Sequence, residues 1–293
     1  MEFLCDLCPR LCHARRSDEA GGGFCAMPAL PVAARGALHF WEEPPISGTR
    51  GSGTVFFSGC SLRCVFCQND EISRGGFGKT ISVERVRQIC EELRDQGAHN
   101  INFVTPTHYA HVVRQVLETP LGIPVVYNCG GYERVETLQA LKGRVDIYLP
   151  DLKYADADAA ARYSNAPDYV ETAKAAIREM VEQTGPCVME QGLLKRGVII
   201  RHLLLPGKTA AAKAVMDWVA ETFAPGTVLF SLMSQYVPLG RVPGEFPELN
   251  RPLRRGEIRS AVEYMENLGL EGFTQDSLSA QSSYIPSFDL TGI

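Results

Sequence analysis

The sequence predicts an α/β protein built on a mostly parallel sheet. Three observations point there. Short apolar runs of strand type alternate with longer amphipathic runs of helix type, the alternation repeats about six times, and it begins only near residue 51. Strands interleaved with helices in this way build parallel sheets covered by helices. Six βα units can form an open doubly wound sheet or an incomplete barrel, and periodicity leaves both open. Either architecture puts its site at the C-terminal ends of the strands.

The elements follow in order. Gly53 to Ser58 (GTVFFS) is a continuous apolar run of buried-strand type. Ser82 to Gln96 reads as a helix, with Val83, Val86, Ile89, Cys90 and Leu93 at helical spacing, Ser82 as cap and Gly97 as stop. Ile101 to Thr105 is the next strand and Tyr109 to Glu118 its helix, which places Val112, Val113, Val116 and Leu117 on one face. Strand Ile123 to Asn128, helix Glu133 to Lys142 and strand Val145 to Leu149 continue the series. Asp168 to Thr184 is a longer helix capped by Asp168, and a hairpin spans Pro186 to Leu194. Gly197 to Leu205 (GVIIRHLLL) is a strong strand. Helix Ala210 to Phe223, strand Thr227 to Leu232 and helix Arg255 to Asn267 complete the pattern. Residues 1–50 look different, with four cysteines, the Gly21-Gly22-Gly23 turn, Pro44-Pro45 and little periodicity. We read 1–50 as an irregular cysteine-rich extension and 51–293 as the core barrel and C-terminal part.

Composition narrows the function classes. With 45% hydrophobic and 22% charged residues the chain is an ordinary globular sequence. A net charge of -5 offers no footing for nucleic acid or an anionic membrane surface. No apolar run reaches the ~18 residues of a membrane helix. The start, MEFLCDLCPRLCHARR, lacks the apolar stretch and cleavage site of a secretory signal. The expectation is a cytoplasmic protein. In that compartment ten cysteines are metal ligands or thiols rather than disulfides.

Seven of the ten cysteines fall in two groups. Cys60, Cys64 and Cys67 have C-x3-C-x2-C spacing in GCSLRCVFCQN, directly after the first strand. Thiolate softness matches iron, and three thiolates on a cubane leave one iron open to a small chelating ligand. Zinc in a structural site wants a fourth ligand. Cys5, Cys8, Cys12 and Cys25 are spaced C-x2-C-x3-C-x12-C and can close a second metal site. Zinc, which would fold the extension, and an auxiliary [4Fe-4S] cluster, which would relay electrons or bind substrate, both suit that spacing, and four free thiols with no metal are the third reading. Cys90 and Cys187 read as core residues.

The triplet, with Phe66 as the aromatic residue before its last cysteine, resembles the signature of the radical S-adenosylmethionine (SAM) superfamily. The stretch His39 to Ser73 and the N-terminal CDLCPRLCHARR are similar to the activase-homologue branch of pyruvate formate-lyase activating enzymes. The resemblance covers essentially the whole chain. It implies a partial (β/α)6 TIM-like radical SAM barrel, a [4Fe-4S] cluster on Cys60, Cys64 and Cys67, and SAM on the open iron. It also implies Phe66 beside the adenine, and backbone contacts to the SAM amino group from Thr105-Pro106-Thr107, where the family has a Gly-Gly-Glu-like segment. Asn128, with Gly130 and Gly131, would border SAM, and Asp151 and Lys153 would supply polar contacts around it. Arg201 would point into the barrel, where a buried guanidinium demands a carboxylate partner. His202, its neighbour, reads as a core histidine. Gln235 and Tyr236 stand where they could meet SAM or substrate.

The function expected is reductive cleavage of SAM to a 5'-deoxyadenosyl radical that abstracts hydrogen from a substrate. By the same resemblance that substrate would be a glycine Cα–H of a partner protein; a peptide or a small molecule stands equally open. A flavodoxin or ferredoxin would be the reductant. Two other classes stand beside this one: a non-catalytic iron-sulfur electron-transfer or scaffold protein, and a zinc-binding module on an inactive barrel.

Overall fold

The computed structural model describes residues 2–274 and 286–293. Its strands are β1 (Phe3–Leu4), β2 (Arg15–Arg16), β3 (Val32–His39), β4 (Ser52–Phe57), β5 (Lys79–Thr80) and β6 (Ile101–Val104), followed by β7 (Val125–Cys129), β8 (Ile147–Pro150), β9 (Val188–Glu190), β10 (Leu193–Leu203), β11 (Leu229–Met233) and β12 (Gly272–Thr274). β1 and β2 form a small antiparallel hairpin of their own.

The main sheet runs β12-β11-β10-β8-β7-β6-β4-β3-β5. Every neighbour pair from β4 to β12 along this path is parallel. From β4 to β12 the chain order along the sheet never turns back, and only the short antiparallel β5 returns, to the far side of β3. A doubly wound sheet has a switch point where the order turns back, so the strands wind as in a barrel. Among the described residues the path ends at β12 and β5 without joining them, which makes the barrel partial.

Alternation along each strand divides the side chains into two faces. One set, including Val55, Phe57, Phe103, Tyr127, Tyr148, Val198, Ile200 and Phe230, belongs to the main apolar core with the helices. Helix Val83–Asp95 contributes Val86, Ile89, Cys90 and Leu93 to it, with the Ser82 hydroxyl accepting from the Arg85 N–H at its start. The other face carries a second apolar layer, Val126, Ile147, Leu149 and Ile199, closed by Ile46. Ile46 lies on the short turn Pro44–Ser47, which packs against β10. On this same strand face stand Asn102, Asn128 and Arg201, so the barrel interior has a polar layer as well as an apolar one.

Several details depart from the sequence pattern. Val32–His39, inside the cysteine-rich stretch, pairs antiparallel with β4 and so joins the main sheet. Its outer edge is met by β5 and by the far end of the chain: the Gly36 N–H donates to Thr291 O, the Leu290 N–H to Ala34 O, and Phe288 packs on Phe56. A helix at Ala157–Ser164 follows β8, capped by Asp156. The helix expected from Glu133 to Lys142 is only Val135–Gln139. Asp168 precedes the helix Tyr169–Thr184 but makes no side-chain cap. Its carboxylate instead accepts from the Tyr132 hydroxyl at 2.8 and 2.9 Å. The hairpin near residue 190 forms as β9 and β10.

Candidate active site

The loop after β4 carries the cysteine triplet. Gly59 opens it with φ +82°, and a Cβ there would lie 2.3 Å from Met27 Cγ, so the close approach requires glycine. Arg63 is also left-handed, at φ +49°, which turns the chain between Cys60 and Cys64. Cys67 N–H donates to Cys64 O at 3.1 Å. Each sulfur meets a donor. Leu62 N–H faces Cys60 Sγ at 3.3 Å, the Ser164 hydroxyl Cys64 Sγ at 3.0 Å, and the Ser73 hydroxyl Cys67 Sγ at 3.3 Å. Such donors suit thiolates bound to iron and tune a cluster's potential. Without metal, burial pushes the Cys67 thiol up to about 12, with Cys64 adding to it, and raises Cys60 as well. Iron would therefore displace protons on binding.

A chain of charges leads away from the triplet across the strand ends. Lys153 Nζ lies 2.5 Å from Asp151 Oδ2, and Asp151 Oδ1 accepts from Arg201 Nε at 2.9 Å. Arg201 Nη2 donates to Asn128 Oδ1 at 2.6 Å, and Nη1 lies 3.3 Å from Glu42 Oε2 and 4.0 Å from Glu43 Oε2. Asn102 and Asn128 both donate to Glu42 Oε1 at 3.1 Å. Asp151, Lys153 and Arg201 side chains are 14%, 18% and 13% exposed, so this is a buried network and not a solvated bridge at a strand end. Burial works against the Asp151 charge, but Arg201 and Lys153 outweigh it and hold the carboxyl below its usual range. Burial raises Glu42 and Glu43, with Arg201 only partly opposing. The carboxylate partner that a buried Arg201 needs is thus present three times over. Glu43 Oε2 is buried without a hydrogen-bond partner.

The other sequence candidates fall as follows. Phe66 is buried edge-on against Tyr154 (6.2 Å) and Tyr163 (6.4 Å), beside the triplet. Thr105 has φ +57°, an uncommon state for a β-branched residue, and its N–H donates to Asn128 O at 2.9 Å. The Thr107 hydroxyl donates to Glu133 Oε1 at 2.5 Å. Pro106 is buried at the head of the short turn Thr107–Tyr109. Gly130 and Gly131 join the strand tips through Tyr169, whose hydroxyl donates to Gly130 O and Asp151 O. His202 is buried with Nδ1 2.6 Å from Leu152 O, a core histidine as expected. Tyr236 is tied to Leu249 O, and Gln235 takes Gln68 Nε2 on its carbonyl oxygen. A cleft beside Lys153, lined by Tyr154, Tyr163, His202 and Lys208, opens on the His202 side of β10, away from Arg201.

Glu42, Glu43 and Glu133 were not among the sequence candidates. Glu133 is buried and accepts from Thr107 and from Tyr127 (3.0 Å). Burial raises its carboxyl to about 7. The only sequence signal was placement: Glu42-Glu43 just before the first barrel strand, and Glu133 just after the glycine pair.

Comparison with known proteins decides the class. A model of the Radical SAM superfamily matches residues 54–219. The chain belongs to the radical SAM superfamily. Uncharacterized protein MJ0674 of Methanocaldococcus jannaschii is 31% identical over 278 residues, 91% of this chain and 75% of that one. Among solved structures, SuiB of Streptococcus suis aligns with a TM-score of 0.51 at 14% identity, over 75% of this chain and 47% of SuiB. A radical SAM methyltransferase from Sphaerobacter thermophilus gives 0.50 at 15%, over 76% and 66%. Methylornithine synthase (PylB) gives 0.50 at 15%, over 82% and 71%. The chain thus spans about half of SuiB and just under two thirds of the methyltransferase. At such identities these likenesses concern the fold alone.

Radical SAM membership implies a [4Fe-4S] cluster and SAM. The triplet suits that cluster by its chemistry: three soft donors on one loop, each sulfur with its own hydrogen-bond donor. Among the described residues no three Cys, His, Asp or Glu side chains converge on a single ion. A cubane asks for no such convergence, because each thiolate binds a different iron. Among the same residues no helix is long and apolar enough to cross a membrane.

Proposed function

We propose that this chain is a radical SAM enzyme of the pyruvate formate-lyase activating enzyme-like kind, an oxidoreductase acting on a C–H bond. The observation that carries this is the continuous line from the triplet loop through Lys153, Asp151 and Arg201 to Asn128. When bound, the cluster and SAM supply reductive cleavage to a 5'-deoxyadenosyl radical, which takes hydrogen from the substrate.

The residues of the chain have distinct tasks in this reading. Cys60, Cys64 and Cys67 hold three irons. Lys153 keeps its proton: burial opposes the charge, but Asp151 and Cys64 outweigh it and raise its pKa. It therefore offers an ammonium to the SAM carboxylate near the triplet. Asp151 and Asn128, both held by Arg201, would supply polar contacts around SAM. Thr105 and Pro106 contribute backbone beside Asn128. Phe66 supplies an apolar wall. The buried apolar layer below, with Ile46, excludes water from the radical.

The finer reading, by resemblance, is activation of a partner protein at a glycine Cα–H in the cytoplasm, with a flavodoxin or ferredoxin as reductant. The test is anaerobic reconstitution with iron and sulfide, then dithionite and SAM. Free 5'-deoxyadenosine that disappears in Cys64→Ala supports the enzyme. An iron-loaded protein that makes none points to electron transfer or scaffolding instead.

A further inference from the structure

Charge inside the barrel does not balance. The line from Lys153 to Glu43 holds two cations, Lys153 and Arg201, against three carboxylates, Asp151, Glu42 and Glu43. Among the described residues Arg201 is the only cation in ion-pair range of either glutamate. Its guanidinium is already shared, with Nε on Asp151, Nη2 on Asn128 and Nη1 on Glu42. The Ser231 hydroxyl bonds the Glu43 carboxyl, but Oε2, 4.0 Å from Arg201 Nη1, has no hydrogen bond. An excess carboxylate out of water asks for a cation or a proton.

A second acceptor is unpartnered beside it. Asn102 is completely buried, and its Oδ1 has no donor. The orientation of this amide is fixed, because Nδ2 donates to Glu42 Oε1 and a carboxylate oxygen only accepts. Asn128 is oriented in the same way, but its Oδ1 is filled by Arg201. Both unpartnered oxygens therefore belong to neighbours of Glu42, one through the chain and one through a hydrogen bond. Buried polar atoms left over in this way mark a ligand or an ordered water.

The glutamates are presented rigidly. Glu43 O accepts from the Ile46 N–H at 2.8 Å and the Ser47 N–H at 3.1 Å, and the Glu42 N–H donates to the Ser47 hydroxyl at 3.0 Å. Pro44 and Pro45 stiffen the turn between. Side-chain exposure falls along the line, from 18% at Lys153 through 13% at Arg201 to 9% at Glu42 and 6% at Glu43. Its open end is thus at the triplet, and Glu43 is its deep end. The apolar layer closed by Ile46 lies one step nearer the strand starts, with Val126 before Asn128 and Ile199 before Arg201.

We infer that Glu43 Oε2 and Asn102 Oδ1 receive an alkylammonium group of the substrate, carried by a small amine or by a lysine side chain. As a substrate site this rests on the function proposed above; as a binding site it does not. The N–H donors of an ammonium match the unpartnered oxygens, and its charge balances the excess carboxylate. No bond is made or broken in this step. A substrate that enters from the triplet end and anchors its ammonium here lays its carbon chain back toward SAM, which selects the C–H bond that the radical meets.

The test is calorimetry on the full chain, reconstituted with iron and sulfide without oxygen and free of SAM. The probe is pentylammonium, set against 1-pentanol and pentyltrimethylammonium. Pentylammonium should bind about tenfold more tightly than either, because the alcohol lacks the charge and the quaternary ion lacks N–H donors. Glu43→Gln should erase that advantage, and Glu43→Asp should keep part of it. Equal affinities for the three probes in wild type, a comparison that needs no variant, overturn the inference; an ordered water or a proton at Glu43 gives that result. A preference that survives Glu43→Gln overturns it too, since an amine on the open iron would ignore Glu43. Displacement of pentylammonium by N-acetylglycyl-lysinamide, and not by its norleucine counterpart, supports a lysine side chain; no displacement by either supports a small amine. Wild type that releases 5'-deoxyadenosine from SAM yet binds the three probes alike sinks this inference alone. Wild type that prefers pentylammonium yet leaves SAM intact sinks the proposed function alone.

Discussion

Glu133 offers a stability test that needs neither cluster nor SAM. Burial raises its carboxyl from 4.5 to about 7, against the opposing hydrogen bonds from Thr107, Tyr127 and Cys129. Below pH 4.5 both folded and unfolded chains carry the proton, and the group contributes nothing to the difference. Between 4.5 and 7 the unfolded chain releases its proton and the folded one does not, so folding loses stability as pH rises. Above the folded value the loss is complete. At ~1.4 kcal/mol per pH unit, the displacement from 4.5 to about 7 amounts to about 3 kcal/mol. Glu133→Gln keeps an acceptor for Thr107 and a polar partner for Tyr127 but does not titrate. Urea unfolding of the metal-free, reduced protein at pH 4.5, 6 and 8 gives the assay. The variant should gain on wild type by about 3 kcal/mol across that range, most of it between 4.5 and 7. A difference between the two proteins that stays constant with pH would refute the reasoning.

Arg201→Met leaves Glu42 and Glu43 uncompensated inside the barrel and Asp151 with Lys153 as its one cation, and should cost about 3–5 kcal/mol in urea unfolding. Glu43→Gln removes a carboxylate whose Oε2 has no hydrogen-bond partner and should be neutral or stabilising at pH 8; the opposite ranking of these two variants contradicts the network. Gly131→Ala puts a Cβ 2.2 Å from Asp151 O at φ +76°, and should lower stability by about 2 kcal/mol or more, read as a clear drop in Tm. Ser164→Ala removes the donor at Cys64 Sγ and should shift the barrel cluster to a more negative potential, measured by EPR-monitored redox titration; an unshifted midpoint excludes that role.

Much of the barrel was legible because its strands are buried on both faces. GTVFFS lies in an apolar run with β4 buried at every position, and GVIIRHLLL is apolar apart from Arg201 and His202. The triplet was legible because its chemistry is local. What escaped depends on distant contacts. Val32–His39 is broken by Arg35 and Gly36; the glycine is there because a Cβ would lie 2.7 Å from Ile89 Cγ2, and Arg35 reaches Asp289. Glu42 and Glu43, beside two prolines, look like solvated residues until the turn Pro44–Ser47 carries them against β10. Asp168 has the right type and place for a helix cap, yet Tyr132 claims its carboxylate. Ala157–Ser164 is only two turns long and alanine-rich, too short a run to announce the serine that reaches Cys64.

The pairing of Ala34 and Gly36 with Leu290 and Thr291 sets a timetable for synthesis. A ribosome releases β3 early, but its outer hydrogen-bonding groups wait for partners made some 250 residues later. Until then the nascent chain carries an open strand margin, ready to associate with another copy. A polysome crowded with such chains would reach the native state in better yield with a holdase over that margin, or with rapid completion of the chain.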